Sequence, residues 1–271
     1  MISLKRIGMA CVLVWLTAFS AGASTTLTIG TTYGGTIAAA GQTNLYTFNA
    51  TAGQRLFFDA LDVDTLGLNV SLLSPGGALL YQQNDDYDAG PWALAEAGMY
   101  SLVINGNSST TGNYEFRVLD LGTAPQLTMG TPFSDQLSPP QSCNLYQFNG
   151  KRGQRIALQA LDFSTNQARW QLVSPANVVV VSGQFTASLG PVTLPLDGPY
   201  CVMVIGTSVG NTPLTYQVLA NDVSDTPVAV SGFGTIHSGT VSANQTNSFT
   251  YTAPAGLPIY FDSLDTSGQS K

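Results

Sequence analysis

The chain has 271 residues, of which 44% are hydrophobic and only 9% are charged, and its formal net charge is −7. This composition is too apolar and too weakly charged for a disordered chain, so we expect it to fold. Nucleic-acid binding is disfavoured because phosphate contacts require clustered Lys and Arg, and the basic residues after residue 23 are scattered.

The N-terminus has the pattern of a secretory signal peptide. Lys5 and Arg6 precede an apolar run over residues 7–19, and the small residues 21–23 follow it. This order predicts cleavage after residue 23 and a secreted or cell-surface protein. The apolar run is shorter than the roughly 20 residues that a membrane-spanning helix needs, so no membrane anchor is expected.

An internal repeat is the most informative feature of the sequence. Residues 44–119 and 144–219 align without a gap at a spacing of 100 residues. A third copy begins near Gly234 and holds only the opening of the pattern up to Lys271. The repeat predicts tandem modules, each long enough to bury its own core, at the beginning of a longer array.

Each copy reads as a series of short strands. In the first copy these runs alternate or are rich in β-branched and aromatic residues, and they cover residues 44–48, 55–61, 68–72, 79–81, 98–104 and 114–118. Turn residues such as Gly53, Ser74-Pro75-Gly76-Gly77 and Gly90-Pro91 separate them. No segment after residue 23 shows about ten residues of helical periodicity. We therefore predict an all-β fold of tandem antiparallel, jelly-roll-like β-sandwich modules.

Segments rich in Pro, Gly, Thr and Ser over residues 122–130 and 222–234 predict the module boundaries. The expected division is a signal peptide at 1–23, a β-sandwich module at 24–122, a second at 123–225, and the truncated start of a third at 226–271.

The order of motifs resembles a known family. The motifs are Asn-x-Tyr-x-Phe at 44–48, Ala-x-x-Gly-Gln-Arg at 50–55, Leu-x-Ser-Pro-Gly at 72–76, Asp-Asp at 85–86, Gly-x-Tyr-x-Leu-x-Ile-x-Gly at 98–106 and Gly-x-Tyr-x-Phe-x-Val at 112–118. This set is similar to the bacterial pre-peptidase C-terminal domain. The resemblance implies a jelly-roll-like β-sandwich that occurs beside secreted peptidases and in large surface proteins, and that is similar to the collagen-binding domains of clostridial collagenases. Where that family has Asp before Tyr-x-Phe, this chain has Asn44, Asn144 and Asn247.

Catalysis is disfavoured because the residue types that it needs are scarce. The only histidine is His237, in the third copy, so neither complete copy has a base for a Ser-His-Asp or Cys-His system. Zinc sites need more His and Cys. Asp59 and Asp62 could form a carboxylate pair, but Gln159 replaces Asp59 in the second copy. No catalytic residue is predicted.

An Asp follows Leu at the same place in every copy, at Asp62, Asp162 and Asp265. A residue that recurs in each module is better explained as a turn-forming Asp that binds local backbone N–H groups.

The strongest candidate site is the run Asp85-Asp86-Tyr87-Asp88. Clustered carboxylates are the ligands that Ca²⁺ prefers, and the alternative is a solvated acidic turn. The second copy has Phe185, Thr186 and Ser188 at the positions of the three acids. A calcium site would therefore belong to the first module alone, and no other cofactor is expected.

The aromatic residues favour a core role over a sugar-binding platform. Trp92 aligns with Val192, and Trp170 aligns with Val70, so both positions accept an aliphatic side chain. Four tyrosines recur at strand positions and are predicted to be structural: Tyr46, Tyr100, Tyr146 and Tyr200. Tyr81 and Tyr87 are the expected exposed exceptions.

Cys143 and Cys201 lie in the second module, where the first has Thr43 and Ser101. Their joint presence in an exported chain predicts a disulfide, with two thiols as the alternative. No histidine or cation cluster accompanies them, so a catalytic role is not expected.

These observations favour a non-catalytic extracellular β-sandwich array that acts as a spacer, adhesion or ligand-contact region of a larger secreted bacterial protein. The expected ligand is an extracellular protein or a polysaccharide, and the modules are expected to be monomeric. The main alternative is a set of accessory modules of a secreted hydrolase, in particular a peptidase, whose catalytic domain lies beyond residue 271. A further alternative is a calcium-stiffened binder of a collagen-like substrate.

Overall fold

The computed structural model describes residues 24–62, 67–84, 87–106, 110–163, 167–186, 188–224, 228–230, 232, 234–241 and 247–264. The expected signal peptide lies outside these residues. Within them, the regular structure is β-strand apart from one turn of 3-10 helix at Leu121–Thr123. The prediction of an all-β fold is confirmed.

The chain divides into two compact units, Met1–Asp120 and Leu121–Lys271. We call the described part of the first unit module 1. Its strands are β1 (Thr25–Thr26), β2 (Thr32–Ile37), β3 (Thr43–Ala50), β4 (Arg55–Ala60), β5 (Leu68–Leu73), β6 (Leu79–Asn84), β7 (Ala89–Ala93), β8 (Gly98–Gly106) and β9 (Gly112–Asp120). They form a five-stranded sheet in the order β1-β3-β8-β5-β6 and a four-stranded sheet in the order β2-β9-β4-β7.

Strand alternation builds the core of module 1. Along β8, Tyr100, Leu102 and Ile104 are fully buried, whereas the residues between them are partly exposed. These side chains belong to one hydrophobic cluster with Phe58 and Phe116 of the other sheet. Each such side chain stabilises the fold by about 1.5–3 kcal/mol relative to an exposed one. The module is therefore a β-sandwich closed by its own core.

Module 2 comprises residues 121–224 and has the same arrangement. Its strands are β10 (Phe133–Leu137), β11 (Cys143–Gly150), β12 (Arg155–Phe163), β13 (Ala168–Val173), β14 (Val179–Gln184), β15 (Leu189–Thr193), β16 (Gly198–Gly206) and β17 (Leu214–Asp222). The two sheets have the orders β11-β16-β13-β14 and β10-β17-β12-β15. Trp170, Tyr200 and Phe185 are fully buried between them.

The pairing of the last strand of each module, β9 and β17, shows that the two copies do not align without a gap. Gly35 of β2 lies opposite Tyr114, and Asp135 of β10 lies opposite Tyr216. The first residues of these pairs are 100 positions apart, whereas the tyrosines are 102 apart. The ungapped alignment is therefore wrong from β9 onward, because the connection before β17 is two residues longer than the one before β9. A shift of two residues keeps every side chain on the same face of a strand, so the apolar pattern conceals it.

The part of the chain after module 2 contributes two short strands, β18 (Val228–Ala229) and β19 (Phe249–Thr250), which pair in parallel. Residues 251–264 are exposed, and none of them belongs to a strand. In its described residues, this segment has the opening of a module without a buried core.

Candidate functional site

A pair of tyrosines joins the two sheets of module 1. Tyr46 on β3 and Tyr114 on β9 are both buried, and their hydroxyl oxygens are 2.6 Å apart. Asn44 donates from Nδ2 to the Tyr114 hydroxyl at 2.7 Å and to the Thr36 carbonyl at 3.1 Å. The amide thus connects β3 with both β2 and β9. An Asp at this position could not donate to the Thr36 carbonyl and could only accept from the Tyr114 hydroxyl, because a carboxylate has no proton to donate.

Module 2 repeats this arrangement and extends it by a carboxylate. Asn144 donates to the Tyr216 hydroxyl at 2.9 Å and to the Gln136 carbonyl at 2.8 Å. The hydroxyls of Tyr146 and Tyr216 are hydrogen-bonded, and Tyr146 also bonds the carboxylate of Asp135. Because a carboxylate only accepts, Tyr146 donates to Asp135 and Tyr216 donates to Tyr146. A directed chain therefore runs from Asn144 to an exposed acid, and each bond polarises the next.

Burial raises the pKa of three of these tyrosines. It raises the pKa of Tyr146, and the neighbouring Tyr216 and Asp135 raise it further. Burial also raises the pKa of Tyr216 and of Tyr46 above the usual 10. The hydroxyls consequently act as hydrogen-bonding groups at neutral pH and are unsuited to take up a proton as bases.

Beside this chain of hydrogen bonds lies an open depression with a volume of about 440 Å³. We call it the polar depression, and it is lined by Ser134, Asp135, Gln136, Asp162, Thr215, Tyr216 and Gln217. Its lining supplies both donors and acceptors, and the two carboxylates make it negatively charged.

A β-bulge brings Asp162 to the polar depression. Ala160 lies opposite Val218 and Asp162 lies opposite Gln217, so Leu161 is the additional residue of the bulge. Asp162 is thus part of strand β12, and its interpretation as a turn residue is wrong. Asp62 follows the end of β4, and Asp265 lies outside the described residues.

Sequence reasoning missed Asp135. The available signal was a difference between the copies, since Gly35 occupies this position in module 1. A Cβ atom at Gly35 would overlap the hydroxyl of Tyr114, so the packing of module 1 excludes a carboxylate here. An acid at this position is therefore specific to module 2.

The predicted calcium ligands are only partly described. Asp85 and Asp86 lie outside the described residues. Asp88 accepts a hydrogen bond at Oδ1 from the backbone N–H of Ala60, at 3.1 Å. Among the described residues, no group of three or more His, Cys, Asp or Glu side chains converges. Calcium binding at Asp85, Asp86 and Asp88 stays a prediction.

Asp59 forms an ion pair within module 1. Its carboxylate is fully buried, and Oδ2 lies 2.6 Å from Nε of Arg117. This pairing argues against a catalytic carboxylate pair of Asp59 with Asp62. In module 2 the position is Gln159, whose Oε1 accepts from Asn221 at 3.3 Å.

The predicted disulfide between Cys143 and Cys201 is wrong. Both cysteines are buried on neighbouring strands, but Cys143 lies opposite Ile205 and Cys201 lies opposite Gln147. This register separates them by four residues, or about 13 Å along the strands. A disulfide requires Cα atoms within about 7 Å, so the two thiols cannot reach each other without a change of strand register.

The recurrent tyrosines are structural, as predicted. The Tyr100 hydroxyl donates to the Glu96 carbonyl at 2.9 Å, and Tyr200 makes the same bond to Leu196 at 2.9 Å. Trp170 is fully buried in the core. This confirms a packing role rather than a platform.

The aromatic residues near β6 have mixed exposure. Trp92 is half-buried against the core, and its ring lies 5.2 Å from that of Tyr81. Tyr81 is half-buried too, so its expected exposure is only partial. Tyr87 is 63% exposed, as predicted.

Comparison with known proteins adds little. No family profile matches the chain, and no curated protein matches it. Among solved structures, the periplasmic g-type lysozyme inhibitor PliG of Aeromonas hydrophila is 13% identical, with 36% of this chain and 96% of that chain covered and a TM-score of 0.30. The CUB1-EGF-CUB2 domains of rat MASP-1 are 8% identical, with 73% and 99% covered and a TM-score of 0.23.

At such low identities and TM-scores, these similarities carry no argument about this chain. The similarity to the pre-peptidase C-terminal domain stays a prediction. In the part of the chain that the structure describes, no helix is long and apolar enough to span a membrane.

Proposed function

We propose that this chain is a non-catalytic extracellular array of β-sandwich modules that acts as a spacer and ligand-contact region of a larger secreted protein. The repetition of one set of polar contacts carries the proposal. Asn44 with Tyr46 and Tyr114, and Asn144 with Tyr146 and Tyr216, join the same strands in both modules. The polar side chains that recur between modules thus hold the sandwich closed.

The ligand-contact role rests on the polar depression of module 2. Its hydroxyl, amide and carboxylate groups suit a ligand that offers many hydrogen-bonding groups, as a polysaccharide does. Asp135 and Asp162 in its lining, together with a net charge of −7, disfavour an anionic ligand. The ligand we propose is a neutral or basic polysaccharide.

Binding tests this role in the chain from residue 24 to residue 271. The probes are a neutral glucan, chitosan oligosaccharides and heparin, measured by calorimetry. We expect binding to the glucan or chitosan and none to heparin, with at least a threefold loss for Asp162→Asn. Asp197→Asn is the matched control, because it removes one negative charge of module 2 outside the polar depression. An absence of binding to all probes, or equal losses for both variants, would overturn the ligand-contact role.

Activity tests the non-catalytic role. The same chain is incubated with casein, gelatin and common glycoside and ester substrates, and no turnover is expected. Turnover that survives repurification and disappears in Asp162→Asn would contradict the proposal.

A further inference from the structure

Asp135 is an exposed acceptor of the polar depression, and it is held in one orientation. The Tyr146 hydroxyl donates to its Oδ2 atom. The backbone N–H of Gln136 donates to its Oδ1 atom at 2.8 Å. Both oxygens are therefore fixed, yet each keeps an unused lone pair, because an ionised carboxylate accepts about four hydrogen bonds.

Tyr146 is held in turn by buried groups, and it does not line the polar depression. Its hydroxyl is bonded to that of Tyr216, which accepts from Nδ2 of Asn144 at 2.9 Å. Tyr146 is only 7% exposed and Tyr216 only 5%, so neither ring can turn away without disturbing a close-packed core. Residues inside the sandwich thus set the orientation of a carboxylate on its surface.

The lining of the polar depression has negative charge and no positive charge. Two of its residues, Asp135 and Asp162, are carboxylates, and none is Lys, Arg or His. The other lining side chains are hydroxyls and amides, namely Ser134, Gln136, Thr215, Tyr216 and Gln217. A ligand that matches this lining carries a positive charge among several hydroxyl groups.

We propose that Asp135 makes the ligand contact selective for an amino-sugar polymer, and that Tyr146 is the positioning residue for Asp135. This inference rests on the ligand-contact role proposed above. The ammonium group of the sugar donates to the free lone pairs of Asp135 in a charge-assisted hydrogen bond. The sugar hydroxyls bond the surrounding hydroxyls and amides. A lysine side chain has the same ammonium group on an apolar stem and leaves those polar groups unused, so the lining favours the sugar over a basic protein.

Module 1 provides a matched control. Gly35 stands at the place of Asp135, opposite Tyr114. The hydroxyls of Tyr46 and Tyr114 form the same pair as those of Tyr146 and Tyr216. Tyr46→Phe therefore removes the bond of an equivalent tyrosine pair and touches no residue of the polar depression.

Calorimetry on the chain of residues 24–271 tests the selectivity. The probes are chitosan oligosaccharides and, as uncharged references, chitin oligosaccharides of the same length and a neutral glucan. We expect chitosan to bind about fivefold more tightly than chitin, the upper range for an exposed ion pair, and this preference should shrink as salt is added. Asp135→Asn should lower the affinity for chitosan to that for chitin and leave the affinity for chitin unchanged. Thermal unfolding first establishes that each variant is folded.

Tyr146→Phe tests the positioning role, because it keeps the charge of Asp135 and removes only the bond that orients it. The preference for chitosan over chitin should fall about twofold or more, since a mobile carboxylate loses entropy on binding. The affinity for chitin should stay unchanged, and Tyr46→Phe should alter neither affinity. Equal losses for both sugars in Tyr146→Phe would show a purely structural tyrosine and overturn the positioning role.

The remaining outcomes separate this inference from the ligand-contact role itself. Sugar binding without a preference for chitosan, or a preference that survives Asp135→Asn, would overturn the selectivity and leave the polysaccharide contact standing. A lysine-rich peptide that binds as tightly as chitosan would overturn it too, since the ligand would then be a basic protein. Binding of none of the sugars would refute the ligand-contact role and this inference with it.

Discussion

The hydroxyl of Tyr146 donates a hydrogen bond to the carboxylate of Asp135, and this bond has no equivalent at Gly35 of module 1. It ends a chain of hydrogen bonds that begins at Asn144 and crosses from one sheet to the other. The same acid lines the polar depression. One side chain thus belongs both to the contacts that close the sandwich and to the surface that we propose as the ligand contact.

Asp135→Ala should destabilise module 2 by about 1–2 kcal/mol. This is less than a buried hydrogen bond to a charged group contributes, because the Asp135 carboxylate is exposed to solvent. Urea unfolding of residues 24–271 measures it. Tyr146→Phe removes the same bond, so the double variant should lose less than the sum of the two single losses. Additive losses would show that the two side chains do not interact.

Asn144→Asp should destabilise module 2 by about 2 kcal/mol at neutral pH, because a carboxylate cannot donate to the Tyr216 hydroxyl or to the Gln136 carbonyl. Asn44→Asp should destabilise module 1 less, because the Tyr114 hydroxyl can donate to the new carboxylate and only the bond to the Thr36 carbonyl is lost. Thermal unfolding of both variants provides the measurement. Unchanged stability would mean that the donor role of these amides is not needed, and that the Asp found at this place in the pre-peptidase C-terminal domain would serve equally well here.

Arg117→Leu should cost module 1 about 3–5 kcal/mol, because it leaves the buried carboxylate of Asp59 without its cation. Module 2 has Gln159 and Leu219 at the two structurally equivalent positions. The double variant Asp59→Gln/Arg117→Leu should therefore recover most of the loss. Denaturant unfolding of the two single variants and the double variant completes the cycle, and a double variant as unstable as Arg117→Leu would refute the explanation.

The stability of module 2 should depend on Asp222 in acid. Burial alone would raise the pKa of this carboxyl, but hydrogen bonds from Ser224 and Gln154 outweigh it and hold the pKa below the usual 3.8. Because the pKa of Asp222 is lower in the folded state than in the unfolded state, the carboxylate stabilises module 2 fully at pH values above its unfolded-state pKa. This stabilisation disappears as the pH falls through the folded-state pKa. Ser224→Ala should reduce this pH-dependent stabilisation, as measured by unfolding between about pH 2 and pH 6. An unchanged dependence of stability on pH would show that Ser224 does not lower the pKa of Asp222.

Cys143 and Cys201 should remain thiols in the exported protein. Mass spectrometry without reduction should find no peptide that links them, and dithiothreitol should leave the melting temperature of module 2 unchanged. Linked peptides in a folded, monomeric sample would contradict the strand register.

The sequence by itself determined the fold class and the modular plan. Alternating apolar residues and regularly spaced turns allow only short strands, and the repeated motifs show that one plan is used more than once. The sequence also predicted that Trp170 and Tyr100 pack in the core. Trp170 aligns with an aliphatic residue in the other copy, and Tyr100 recurs as a tyrosine, and both patterns are typical of packing positions.

Only the tertiary structure decided how the strands are aligned. Alternation has a period of two, so it cannot detect the shift of two residues that places Tyr216 opposite Asp135. It also says nothing about which residues face each other across strands, and this register separates Cys143 from Cys201. The bulge that brings Asp162 to the polar depression lies in the pairing of β12 with β17. These features are set by cross-strand hydrogen bonds between residues that are distant in sequence, which local patterns do not encode.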